Sequence, residues 1–265
     1  MNPSVLFVFI LSILLGVLRA ADLAFGTDAV TGLCVVGSVW WRYLALGIVV
    51  LAAVLVGRTQ PSRSEAVRSR RPLAGILAFV GAVCFLAAAG AQIALGAASG
   101  LGGFVRCILE CLCSAWLSTM GRCWLSPNEW KKPFGGLYLA VAGSLLFYWN
   151  VLLRFMENSS SWHRVSPTVM VWEMLAVLLF LSSLVRALWL PETSDGKLLC
   201  MSGLASFMLA FCWELPQTLT LAMPSQFKLT NLPAIFFGLG IACVGVLGVF
   251  AVVRIAAAAA LESRE

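Results

Sequence analysis

The sequence predicts an all-α integral membrane protein of about eight transmembrane helices with both termini cytoplasmic. Three observations predict it. The composition is 61% hydrophobic and only 11% charged, against about half and about a quarter in a soluble domain. Apolar runs near the length of about 20 residues that spans a bilayer recur along the whole chain. The basic residues gather in the short connections between those runs, where they set topology. No stretch is long and polar enough for a separate soluble domain, so residues 1–265 form one membrane domain.

The first run, Val5 to Leu18, is short and ends at Arg19-Ala20-Ala21-Asp22. A cleaved signal peptide is the rival reading, but nothing before the run is basic, as a signal normally requires. A retained first span is the expectation. Residues 22–39 hold Asp22 and Asp28, several glycines and no basic residue. The second span opens on the interfacial cluster Trp40-Trp41-Arg42-Tyr43 and ends near Val56. The connection Arg58 to Arg71 carries Arg58, Arg63, Arg68, Arg70 and Arg71 against Glu65 alone, and reads as cytoplasmic. The third span, about Leu73 to Leu95, is rich in Ala and Gly. Small residues let helices approach closely, so a central place is expected for it.

A Gly/Ser connection at 96–103 leads to the fourth span, which runs to about Met120. The loop 121–133, with Arg122, Lys131 and Lys132 against Glu129, again reads as cytoplasmic. The fifth span is about Phe134 to Leu153 and the sixth about Thr168 to Leu188. The seventh runs from about Leu198 to Ala222 and the eighth from about Leu232 to Ala256. Under this topology the inner loops and ends hold twelve Lys and Arg and the outer ones four: Arg19, Arg154, Arg164 and Lys228. The positive-inside rule is satisfied. With Arg common and Lys scarce, the composition fits a bacterial cell (inner) membrane.

A parallel 4+4 repeat, with halves 1–133 and 134–265, is a further expectation. Trp41-x-x-Leu44-Ala45 opens the second span and Trp172-x-x-Leu175-Ala176 the sixth. Val17-Leu18-Arg19 ends the first and Leu152-Leu153-Arg154 the fifth. Each pair links a span with the one four later, as in transporters with parallel halves. Chance matches among abundant Leu and Ala are the competing explanation.

The fourth span carries both Arg106 and Glu110. Four residues apart, they share one helix face, and an ionisable group in a bilayer is a functional candidate. The topology puts Arg106 near the outer face and Glu110 about 6 Å deeper. Arg42, Glu173, Glu214, Gln217, Gln92 and Asn150 fall in the same outer half. Pro216 follows Glu214 by two residues and predicts a kink that frees backbone carbonyls beside the carboxylate. The expectation is an outward-opening ligand cavity lined by Arg42, Arg106, Glu110, Glu173, Glu214 and Gln217. The structural alternative is that Arg42 snorkels to the interface and that Arg106 and Glu110 neutralise each other.

No catalytic constellation, cofactor motif or metal site is expected. Cys107, Cys111, Cys113 and Cys123 do not converge on one ion, because Cys113 is rotated by about 200° from Cys111 on a helix. The nine cysteines lie mostly in apolar runs, so disulfides are not expected. His163, the single histidine, reads as a solvated loop residue, and Asn158-Ser159-Ser160 matters only in a eukaryotic secretory pathway. The basic loop meets anionic lipid rather than nucleic acid. The leading functional expectation is a small-solute transporter or permease-like component whose environment is the lipid bilayer, with a possible cytoplasmic ATPase. The second is a membrane sensor acting through a separate cytoplasmic signalling partner. The third is a structural membrane subunit.

Overall fold

The structure, a computed structural model, describes residues 3–28, 32–62, 64–98, 100–126, 133–156, 164–224 and 226–262, the side chains of 193 and 259–262 excepted. Arg63, Glu129, Lys131, Lys132, Asn158-Ser159-Ser160, His163 and Arg264 lie outside the described residues. Eight helical spans are long and apolar enough to cross a membrane, and no strand occurs among the described residues. The chain is an all-α multi-pass membrane protein.

The helices are α1 (Pro3–Ala21), α2 (Val39–Arg58), α3 (Pro72–Ala94), α4 (Gly100–Leu125), α5 (Gly136–Met156) and α6 (Val165–Trp189). The seventh span is divided into α7 (Gly196–Ser206), a π-helical stretch (Phe207–Trp213) and α8 (Glu214–Ala222). The last span is α9 (Leu232–Glu262). Two starts follow from local chemistry. The Ser38 side chain accepts from Trp40 N at 3.3 Å and caps α2. Asp195 accepts from Lys197 N at 2.9 Å and caps α7. Both satisfy backbone donors that a helix start leaves unpaired.

The centre is built by the seventh span and α9, of whose most apolar windows 67% is buried, against 44% for α3. The expected central place of α3 is therefore corrected. Its small residues let it approach α4 and α9 on one face, but Leu73, Ile76, Val80 and Val83 face outward. In lipid that exposure has no penalty, because the solvent is itself hydrocarbon. The first span is also longer than its apolar run: α1 continues through a π-helical turn, Asp22–Gly26.

Close backbone approach holds the centre together. A Cβ placed on Gly248 of α9 would lie 2.5 Å from Gly203 O of α7, and one on Gly203 would lie 3.0 Å from Gly248 O. Further out, Phe85 packs edge-on against Phe147 and Phe237, with centroids 6.0 and 5.7 Å apart. That geometry suits the ring quadrupoles.

Pro216 breaks the seventh span in another way than expected. It lies in the first turn of α8, directly after a π-helical stretch in one continuous helical span. The irregularity is the π-helical stretch before it. In an α-helix the N–H of residue 216 donates to the carbonyl of residue 212; proline has none, and the Cys212 carbonyl faces α1. Gly16 sits against it so closely that a Cβ would come within 2.8 Å of the oxygen.

Replacing Gly248 by Leu is expected to lower the melting temperature of the protein in detergent, by an overpacking cost of about 1–3 kcal/mol. Gly47→Leu, at an exposed position with open space around it, is expected to leave the melting temperature unchanged.

Candidate functional site

The intramembrane charges form three groups. The first joins the ends of α1, α2, α6 and α8. Arg19 is only 2% exposed. Its Nη1 donates to Asp22 Oδ2 at 2.8 Å, and its Nη2 donates to Ser166 Oγ at 2.8 Å and to Gln217 Oε1 at 3.2 Å. Its guanidinium lies 4.4 Å from the centroid of Trp213. Asp22 stands between two arginines, because Arg42 Nε donates to its Oδ1 at 2.9 Å. Arg42 Nη2 also reaches Asp22 Oδ1, Gly26 O at 3.0 Å and Val36 O at 3.3 Å, and Nη1 contacts Cys34. One acid between two bases leaves the group with one net positive charge. It borders a cavity of about 250 Å³ with otherwise apolar walls, Leu15, Leu18, Trp41, Ala45 and Trp213 among them. An apolar recess with a few convergent polar groups is the usual form of a small-molecule site.

The second group is closed on itself. Arg106 Nε donates to Glu110 Oε1 at 3.0 Å. Gln92 Nε2 donates to both Glu110 oxygens, at 2.8 and 3.0 Å. The Cys107 thiol donates to Gln92 Oε1 at 3.5 Å. Arg106 lies over the Phe237 ring, 4.6 Å from its centroid. Glu110 is wholly buried with its acceptors occupied. These contacts tie α3, α4 and α9 together, and no hydrogen bond or ion pair among the described residues links them to the first group. Asn150 bonds only within its own helix, to Leu146 O at 2.8 Å.

The third group is a pair of carboxyls. Glu173 is 1% exposed, and neither of its oxygens has a hydrogen-bond partner. Its charged neighbour is Glu214. Glu214 is half-buried and accepts from Thr218 Oγ1 at 3.2 Å. The charges of Arg19 and Arg154 reach it. Gly238 of α9 makes room for the arrangement: a Cβ there would run into Thr218 Oγ1 and sit 3.1 Å from Glu214 Oε1.

Of the six residues expected to share a cavity, Arg42 and Gln217 thus meet in the first group through Asp22 and Arg19. Glu173 and Glu214 form the third group. The first and third are connected, since Gln217 and Glu214 are three residues apart on α8 and Arg19 acts on both. Arg106 and Glu110 stand apart, paired with each other. Sequence reasoning missed Arg19 and Asp22, which it read as the polar end of the first span. The spacing Arg19-x-x-Asp22 carried the same signal as Arg106 and Glu110, an opposite-charge pair on one helical face.

The second group yields a double-mutant cycle. Arg106→Leu leaves Glu110 buried without its cation and is expected to destabilise the protein by about 3–5 kcal/mol. Removing both, with Arg106→Leu and Glu110→Leu, is expected to cost less than the single change. Thermal unfolding of the three variants in detergent checks the order. Comparison with protein-family models, with curated proteins and with solved structures finds no match to this chain.

Proposed function

We propose that the protein is a proton-coupled transporter of a small solute, with the Arg19–Asp22–Arg42 cavity as its outer mouth and Glu173–Glu214 as its coupling site. The observation that carries this reading is Glu173, a buried carboxyl whose two oxygens have no donor and whose charged neighbour is a second carboxyl. An ionised carboxylate in hydrocarbon with no donor and no cation is very unfavourable. A carboxyl pair of this kind suits a group that takes up and gives back a proton as its surroundings change.

Three features support the reading. Arg42, Asp22, Arg19 and Gln217 form a continuous polar chain, and Glu214 lies one turn further along α8. A turn of α-helix advances about 5.4 Å, so the chain leads from the cavity into the bundle. The π-helical stretch Phe207–Trp213 directly precedes Glu214, and such segments concentrate at functional sites. Divided helices also build the binding sites of many transporters. The charge distribution supports a cavity on the side of the membrane away from the basic loops. Its lining favours a solute with an apolar body and one acidic or hydrogen-bond-accepting group.

The test uses full-length protein in sealed liposomes with a pH-sensitive dye inside. A panel of small monocarboxylic acids is added outside under an imposed pH gradient. Wild-type protein is expected to show solute-dependent proton movement above protein-free liposomes. Glu173→Gln is expected to abolish that coupling while elution and melting behaviour stay intact, because the change removes a charge that nothing in the fold stabilises. Arg42→Ala is expected to raise the solute concentration needed for half-maximal rate. Coupling that survives in Glu173→Gln overturns the reading. Solute binding without movement across the bilayer also overturns it, in favour of a sensor.

A further inference from the structure

The end of the bundle opposite the outer cavity carries an unsatisfied positive site. Arg71 and Arg254 line one small recess between α3 and α9, together with Ala74, Trp124 and Leu247. The charge of Arg71 acts on Arg254. Like charges repel when they share a partly buried site, so they need a reason to be together. Neither forms an ion pair with a described carboxylate. Arg254 donates only to the Ser69 hydroxyl, at 2.9 Å. Among the described residues Arg71 has no side-chain hydrogen bond, and the Nε atoms of Arg71, Arg254 and nearby Arg68 are buried without a partner.

The backbone adds to the same field. Arg71 is the residue before α3, so the positive end of a 23-residue helix opens beside the recess, and no side chain caps it. A helix start of this kind attracts anions. The loop is held in place: Arg71 N donates to Trp124 O at 2.9 Å, and Trp124 Nε1 donates to Val67 O at 3.3 Å. Arg68 Nη2 donates to Leu188 O at 2.7 Å and ties the loop to α6. The two guanidinium groups are therefore presented by a braced loop and a central helix, not by free surface side chains.

We infer that the recess between Arg71 and Arg254 binds a phosphoryl group. With a volume of about 20 Å³, it holds one water-sized group. One phosphoryl oxygen therefore enters between the guanidinium groups, and the rest of the phosphate stays at the mouth. Arginine forks match that geometry and are less strongly hydrated than lysine. The mouth lies on the basic side of the protein, where an anionic leaflet would adjoin it. The phosphoryl group can come from an anionic lipid headgroup or from a soluble phosphate.

The experiment uses purified full-length protein in neutral detergent, titrated with dioleoyl phosphatidic acid, dioleoyl phosphatidylcholine or inorganic phosphate. Melting temperature and native mass spectrometry are the readouts. Phosphatidic acid is expected to bind and raise the melting temperature, and phosphatidylcholine to do neither. Arg71→Gln and Arg254→Gln are each expected to weaken binding about fivefold, whereas Arg70→Gln, at an exposed neighbour, is expected to leave it unchanged. Without anion, Arg71→Gln is expected to melt at or above the wild-type temperature, since it relieves a repulsion and loses no bond. Should Arg254→Gln fail to assemble for want of its Ser69 bond, Arg71→Gln alone decides. Displacement of phosphatidic acid by inorganic phosphate assigns the site to soluble phosphates, and its absence assigns it to lipid. Equal binding by Arg71→Gln and Arg70→Gln, or no binding of either probe by wild type, overturns the inference.

Discussion

In a bilayer, burying a leucine against another helix gains almost nothing, because lipid tails are as apolar as the helix face. The rest of this structure depends on that constraint. Exposed Phe7, Ile10, Ile48, Leu51, Val80 and Val83 are at rest in hydrocarbon. What decides where helices meet is close backbone approach and polar pairing. Gly203 and Gly248 bring α7 against α9, and Gly16 brings α1 against the Cys212 carbonyl. Arg19, Asp22 and Arg42 tie the first two spans to the sixth and seventh, and Gln92, Glu110 and Arg106 tie the third and fourth to the last. Each tie uses groups that lipid cannot satisfy, so each has one arrangement to prefer.

Most of the fold was legible for the same reason. Span number and spacing follow from apolar length, and the apolar runs of the second to eighth spans lie within or close to the helices observed. What was not legible is what lies across from what. The sequence puts Arg106 and Glu110 on one face, but it does not say that Gln92 fills the remaining acceptors of Glu110. It puts Arg42 at an interface, where it reads as a snorkelling side chain. Only three-dimensional packing brings Asp22, twenty residues earlier, against it. The helix break was expected at Pro216 itself. It falls one turn earlier, in the π-helical stretch that leads into the proline.

The charged groups differ in how far they are satisfied, and the difference sorts them. Glu110 accepts from Arg106 and Gln92, so both of its oxygens have donors. Such a closed unit fixes geometry and is a poor candidate for chemistry. Glu173 is buried to the same degree and bonded to nothing. Burial alone therefore does not mark a functional carboxyl in this protein. Burial with empty acceptors is what sets Glu173 apart from Glu110, and the proposed coupling role rests on that difference.

The same reasoning applies at the other end of the bundle. Arg254 and Arg71 could each have snorkelled outward on long side chains, as arginines near helix ends do. Instead the Ser69 hydroxyl holds Arg254 in place, and the residues around Arg71 are bonded to Trp124 and Leu188. Bracing two cations against each other raises the energy of the empty site. On the inferred reading, an anion between them offsets that cost, the more so where water is scarce. Among the described residues Glu173 stands without a donor, and Arg71 and Arg254 without a carboxylate. Glu173 stands on α6 and Arg254 on α9, and the seventh span packs against both helices.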